Sequence, residues 1–177
     1  MKPNAKPSIL TLVMVVLFMA ALLGQAPVLP TSLSPNDVEI RMTRENHGGC
    51  PEPRCVHYRV TISGDGAVRY EDLASPPVPS RNRRVPVDDV VALVNDFVRA
   101  RFLEAPARFV GQSFYVLRNR QLELHHSGGA DHPTWDLSFR LGAVQNSVHL
   151  ELGIPDYLGR LTDLVDKIGG PGAWATR

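Results

Sequence analysis

Residues 56–70 constrain the architecture of this chain more than any other stretch. Val56, Tyr58, Val60 and Ile62 alternate with His57, Arg59 and Thr61. Successive side chains of a strand point to opposite faces, so this run has one apolar and one polar face. Ser63-Gly64-Asp65-Gly66 is a turn signal, and Val68 and Tyr70 resume the alternation beyond it. The stretch predicts a β-hairpin that buries Val and Tyr side chains on one face and carries arginines to water on the other.

The rest of the chain supplies what such a hairpin needs to cover it. Val38, Ile40 and Met42 alternate with polar residues and predict a strand. Residues 73–86 are Pro-rich and basic, with Arg81, Arg83 and Arg84, and read as a loop or an irregular edge strand. Asp88 and Asp89 sit where a helix N-terminus favours carboxylates, and Val90, Leu93, Val94, Phe97 and Val98 follow at helical spacing. That predicts a helix over about 87–102. Residues 109–126 predict two strands around Arg118-Asn119-Arg120, marked by Phe114, Val116, Leu122 and Leu124. Ser127-Gly128-Gly129 breaks the pattern. Trp135, Leu137, Phe139 and Leu141 then alternate, Gly142-Ala143 turns, and Val148, Leu150 and Leu152 alternate again, which predicts a second hairpin. Pro155 opens a last helix where its missing N–H costs nothing, with Leu158, Leu161, Leu164, Val165 and Ile168 as the buried stripe and Gly169-Gly170-Pro171 as the stop. Strands in hairpins with polar alternate positions predict an antiparallel sheet with one wet face. The fold class expected is α+β, an antiparallel sheet built from hairpins with two helices packed on one face.

The first 26 residues do not belong to that domain. Lys2 and Lys6 precede Ile9–Leu23, an uncharged run whose single polar residue is Thr11. A basic start followed by an apolar stretch is the layout of a bacterial-type secretory signal, with the lysines kept on the cytoplasmic side. Gly24-Gln25-Ala26 offers small residues to a signal peptidase, but Pro27 would follow the cut. The apolar run is shorter than the roughly 20 residues that span a bilayer. Cleavage and anchoring both stay open. Residues 27–37, rich in Pro, Ser and Thr, read as a tether, and residues 38–177 as a single domain. The chain is expected in the cell envelope, in the periplasm or on the outer face of the inner membrane.

Charge narrows the partners. The chain carries 19 Lys and Arg against 18 Asp and Glu, and two of those lysines lie in the first 26 residues. The exported part is near neutral, which argues against a nucleic-acid binder or a general binder of anionic membranes. Contact with a membrane is expected only through residues 9–23, if they are not removed.

Few residues offer chemistry. Cys50 and Cys55 are the only cysteines. Two close cysteines in an oxidising compartment usually pair, and closing so short a loop stabilises by roughly 2 kcal/mol. The alternative, a thiol redox pair, would want Cys-x-x-Cys at a helix start, whereas this loop contains two prolines and leads into a strand. His125, His126, Asp131 and His132 are the most suggestive metal set, since imidazole and carboxylate are zinc-type ligands. Adjacent histidines on a regular strand face opposite ways, so one of the pair with His132 and Asp131 is the most that can converge. The plainer reading is polar residues at a hairpin mouth. His57 and His149 are expected to face water. Arg81, Arg83 and Arg84 read as a solvated loop, or as a face for anionic lipid or an acidic partner. Phosphate-binding glycine loops and a Gly-x-Ser-x-Gly elbow are absent, and no cofactor is implied.

The stretch Cys50-Pro-Glu-Pro-Arg-Cys55-Val-His-Tyr58-Arg-Val-Thr-Ile62-Ser-Gly-Asp65-Gly66-Ala-Val68-Arg-Tyr70 resembles the opening of a bacterial exported-protein family, domain of unknown function 6438. That family pairs two close cysteines with a Tyr-bearing strand, an Asp-Gly turn and a second Tyr-bearing strand. Asp131-His-Pro133-Thr134 is similar to its strand entry. Pro155, Leu158, Leu161, Asp166 and Trp174 are similar to its closing helix and terminal tryptophan. Four residues separate the cysteines here, where the family usually has three. The resemblance covers most of residues 38–175. It implies an exported small α+β domain and no activity.

With no catalytic constellation, the function expected is a non-catalytic binding or interaction module for an envelope ligand or partner protein. The rival is a metal-dependent enzyme using His125 or His126 with Asp131 and His132, and a weaker rival is thiol redox chemistry.

Overall fold

The computed structural model describes residues 28–46, 56–73, 78–109, 113–126, 132–151 and 154–174, with all their side chains except those of 113–116 and 125–126. The strands are β1 (Val38–Asn46), β2 (Tyr58–Ser63), β3 (Ala67–Asp72), β4 (Arg81–Arg84), β5 (Arg108–Phe109), β6 (Ser113–Arg118), β7 (Gln121–His126), β8 (Pro133–Leu141) and β9 (Val144–Leu150). The helices are α1 (Val87–Arg99) and α2 (Asp156–Gly169). Seven strands form one sheet in the order β4-β3-β2-β1-β8-β9-β5, and β6 pairs with β7 in a separate ribbon. The fold is α+β and mostly sheet.

The alternation in the sequence sets the two faces of the sheet. Ile40, Met42, Tyr58, Val60, Ile62, Val68, Leu137, Phe139, Val148 and Leu150 are all buried, and they form one core with Val90, Leu93 and Phe97 of α1 and Leu158, Leu161 and Val165 of α2. The rings of Phe97, Phe102 and Phe139 meet at its centre, with centroids 5.0 Å apart for Phe97 and Phe139 and 5.1 Å for Phe97 and Phe102. Helix α2 presses so close to the sheet that a Cβ added at Gly169 would lie 2.3 Å from Val60 Cγ1.

Four local details depart from the sequence reading or refine it. Helix α1 ends at Arg99, short of 102, because Arg101 takes a left-handed conformation (φ 51°) that turns Phe102 back into the core. The sheet is mixed, because β5 runs parallel to β9 at one edge. The Asn146 side-chain amide holds the chain leading to that edge, donating to the carbonyls of Phe102 and Ala105 at 2.8 and 2.9 Å. Residues 81–84 are an edge strand on β3. Within the expected tether, Ser34 caps a short 3-10 turn at Pro35–Asp37 and Leu33 packs on the core. Among the described residues no helix is long and apolar enough to cross a membrane; residues 1–26 lie outside the described residues.

Candidate functional site

The face of the sheet opposite the helices is polar in register. Glu71 of β3, Arg59 of β2, Thr43 of β1, Asp136 of β8, His149 of β9 and Arg108 of β5 are successive cross-strand partners and form one row across six strands. A second row beside it runs Arg69, Thr61, Arg41, Ser138, Ser147. Between the rows lies a groove of about 490 Å³ whose polar lining includes Arg41, Thr43, Arg59, Asp136, Ser147 and His149.

The groups of this face are held by one another. Arg59 donates through Nε to Thr43 Oγ1 at 3.3 Å and has Glu71 3.9 Å from Nη1. His149 Nδ1 meets Asp136 Oδ1 at 2.7 Å, and its Nε2 meets Glu151 Oε1 at 3.1 Å. Arg108 donates to the same Glu151 oxygen at 2.9 Å. The bond to Asp136 holds the His149 pKa above its usual range, with Glu151 adding to it and partial burial opposing. Glu151 is held below the usual carboxylate range, first by Arg108 and then by His149.

This arrangement decides what His149 can do. An imidazole between two carboxylates is best satisfied as the cation, with both nitrogens donating. In that protonated form it has no lone pair to take a proton from Ser138 or Ser147. With Asp136, Glu151 and Arg108 it makes a charge-balanced, fixed cluster.

A second polar cluster lies on the helix side. Tyr58 donates its hydroxyl to Asp166 Oδ1 on α2, and Arg44 Nη1 lies 3.7 Å from Asp166 Oδ2. Arg44 also stacks over Trp135, 5.3 Å from the ring centroid. The Tyr58 ring stacks on Tyr70 (5.5 Å), and Tyr70 packs against Trp174 (6.0 Å). Arg83 closes the series, lying 5.2 Å over the Trp174 ring and donating to the carbonyls of Ala173 (2.8 Å) and Ile168. Burial raises the Asp166 pKa against the opposing effects of Tyr58 and Arg44. Burial, reinforced by Asp166, also keeps the Tyr58 phenol protonated well above its ordinary range. Both Asp166 oxygens are engaged, and the cluster fastens α2 and the C-terminal turn to the sheet.

The residues singled out from sequence fall in several places. Cys50, Cys55 and Asp131 lie outside the described residues. Positions 125 and 126 end β7, paired with Phe114 and Ser113, in regular strand register that assigns them to opposite faces of the ribbon. His132 is exposed at the entry to β8. Among the described residues no three His, Cys, Asp or Glu are grouped to hold a metal ion. His57 has Glu45 3.2 Å from its Nε2. Of the basic run, Arg83 is drawn into the Trp174 cluster and Arg84 pairs with Asp65 at 3.1 Å.

Sequence reading missed two relationships that had signals. A two-residue turn at Gly142-Ala143 pairs Leu141 with Val144, and counting back from it puts Asp136 opposite His149. Arg44 continues the buried parity of Val38, Ile40 and Met42, and a charge at an inward position needs a partner. No protein-family model and no curated protein matches the chain.

Proposed function

We propose that this chain is an exported protein of the bacterial cell envelope and that its α+β domain is a non-catalytic binding module. The open face of the sheet is the contact surface, offered to a polar envelope ligand or partner protein. The observation that supports the reading is the row from Glu71 to Arg108, in which neighbouring polar side chains are paired with one another on adjacent strands. Side chains fixed in this way lose little freedom when they bind, and so discriminate by position. The export segment and the Cys50–Cys55 disulfide belong to the same reading: a small domain outside the cytoplasm, its loop stapled by oxidation.

The test is the intact mass of the protein recovered from its own envelope, under native and denaturing conditions. The denatured mass reports removal of residues 1–26 and loss of the two thiol hydrogens. The native mass is expected to show a bound species that the wild-type chain retains and that R41A/R59A loses. A metal ion in stoichiometric amount would instead support the enzyme reading built on His125 or His126 with Asp131 and His132. An unliganded chain whose R41A/R59A variant is indistinguishable in every envelope fraction would end the binding-face proposal.

A further inference from the structure

The β6–β7 ribbon presents leucines to solvent. Its register sets Leu117 opposite Leu122 and Arg118 opposite Gln121, and Asn119 and Arg120 close it at positive φ (48° and 65°). Two successive left-handed residues make the tight turn that matches the twist of a two-stranded ribbon. Strand alternation then places Leu117, Leu122 and Leu124 on one face and Arg118, Gln121 and Glu123 on the other. The three leucines are 72, 70 and 48% exposed.

Many arginines of the domain are paired with acids. Arg84 sits 3.1 Å from Asp65, and Arg108 sits 2.9 Å from Glu151. Arg118 and Arg120 are exposed and have no acidic partner among the described residues. The tip thus sets an apolar face against two arginines and the single acid Glu123, which suits a surface that is apolar beneath and anionic at the level of the backbone. The interface of an anionic bilayer has that layering, with hydrocarbon lying directly under phosphates. Along β7, Leu122 and Leu124 are about 7 Å apart, so a ribbon lying on its leucine face sinks both together. Amphipathic segments bury to about 5–10 Å in this way. The arginine stems then stay at headgroup level, their guanidiniums on phosphate oxygens.

We propose that the β6–β7 hairpin docks this domain on an anionic phospholipid surface, with Leu117, Leu122 and Leu124 in the acyl boundary and Arg118 and Arg120 on the phosphates. The contact is local to the tip, so it is compatible with a near-neutral exported chain. It is independent of the groove on the sheet. In the envelope it rests on export to bring the domain to a membrane, and a vesicle experiment tests it without that premise.

The experiment is hydrogen–deuterium exchange, read by mass spectrometry, on the full chain with three samples: no lipid, phosphatidylcholine vesicles, and vesicles of phosphatidylcholine and phosphatidylglycerol in equal parts. The readout is peptides covering residues 117–124, so a chain held on the vesicle by residues 9–23 alone gives no signal there. Docking of nine molecules in ten slows exchange about tenfold. That slowing is expected only on the phosphatidylglycerol vesicles, reversed by salt, and lost in L117S/L122S and in R118Q/R120Q. Unchanged exchange at residues 58–63 shows that each variant is folded, and the wild-type salt series stands alone if one is not. Three results overturn the proposal: no slowing on anionic vesicles, equal slowing on phosphatidylcholine, or slowing without lipid as protein concentration rises. The last would show that a second copy covers the leucines.

Discussion

The hydroxyl of Tyr58 on β2 donates to the carboxylate of Asp166 on α2, joining residues 108 positions apart. The same carboxylate faces Arg44 of β1, so one side chain ties three elements together. Tyr58→Phe keeps the ring stacked on Tyr70 but leaves a partly buried carboxylate oxygen without its donor. That costs about 1–3 kcal/mol. The urea midpoint should fall with an unchanged slope, and a midpoint within error of wild type would mean that water replaces the hydroxyl at no cost.

His149 makes stability depend on pH near neutrality. Folding gives its ring Asp136 and Glu151 as partners, so the folded pKa lies above the ordinary 6.5. The folded state therefore holds the proton more tightly than the unfolded chain. This contribution is whole below pH 6.5 and fades as pH rises through the folded value. His149→Gln should flatten that part of the stability profile. In proton NMR, the His149 ring of D136N should titrate below its wild-type value; a coincident titration would remove Asp136 as the main cause.

Two glycines of α2 should answer the same substitution with opposite signs. Gly169→Ala forces a methyl against Val60 Cγ1, 2.3 Å away, and should destabilise by about 1–3 kcal/mol. Adding Val60→Ala should recover part of that loss, which a double-mutant cycle measures. At Gly159 a Cβ meets nothing within 4 Å, so Gly159→Ala should stabilise by about 0.5–1 kcal/mol through helix propensity. Equal thermal shifts at the two sites would contradict the close approach of α2 to the sheet.

Arg83 caps the end of α2, where carbonyls carry the negative end of the helix dipole, and it covers Trp174. Trp174 in turn donates to the Gly169 carbonyl at 2.8 Å. Arg83→Ala should free the C-terminal turn and cost about 1–3 kcal/mol. In a Trp135→Phe background the remaining tryptophan emission should shift to the red. Emission that stays at the wild-type wavelength would show that Tyr70 alone keeps the indole dry.

The tip of the β6–β7 ribbon shows how far local signals reach. Arg118-Asn119-Arg120 marked the turn, but its left-handed residues are Asn119 and Arg120, and no glycine announced them. The apolar alternation of Leu122 and Leu124 marked a strand, and the strand is there, but both leucines are exposed, because among the described residues no element packs over them. At Arg101 the helix is ended by a left-handed arginine, which helical spacing could not reveal. The metal set of His125, His126, Asp131 and His132 rested on closeness in sequence, whereas ligation depends on which strand faces converge.

The sequence carries most of the strands, the hairpins, the two helices and the division of the sheet into a buried and a wet face. These follow from alternation, helical spacing and turn residues, which act within a few positions and repeat often enough to be read. It also carried, unread, the pairing of Asp136 with His149, since a two-residue turn fixes the register on both sides of it. The tertiary structure decided the rest: the parallel edge at Arg108–Phe109, the close seat of Gly169 on Val60, and the convergence of Tyr58, Arg44 and Asp166. Those contacts join segments far apart in the chain. Their geometry is set by the packing of whole elements, for which no local pattern of residues stands as a sign.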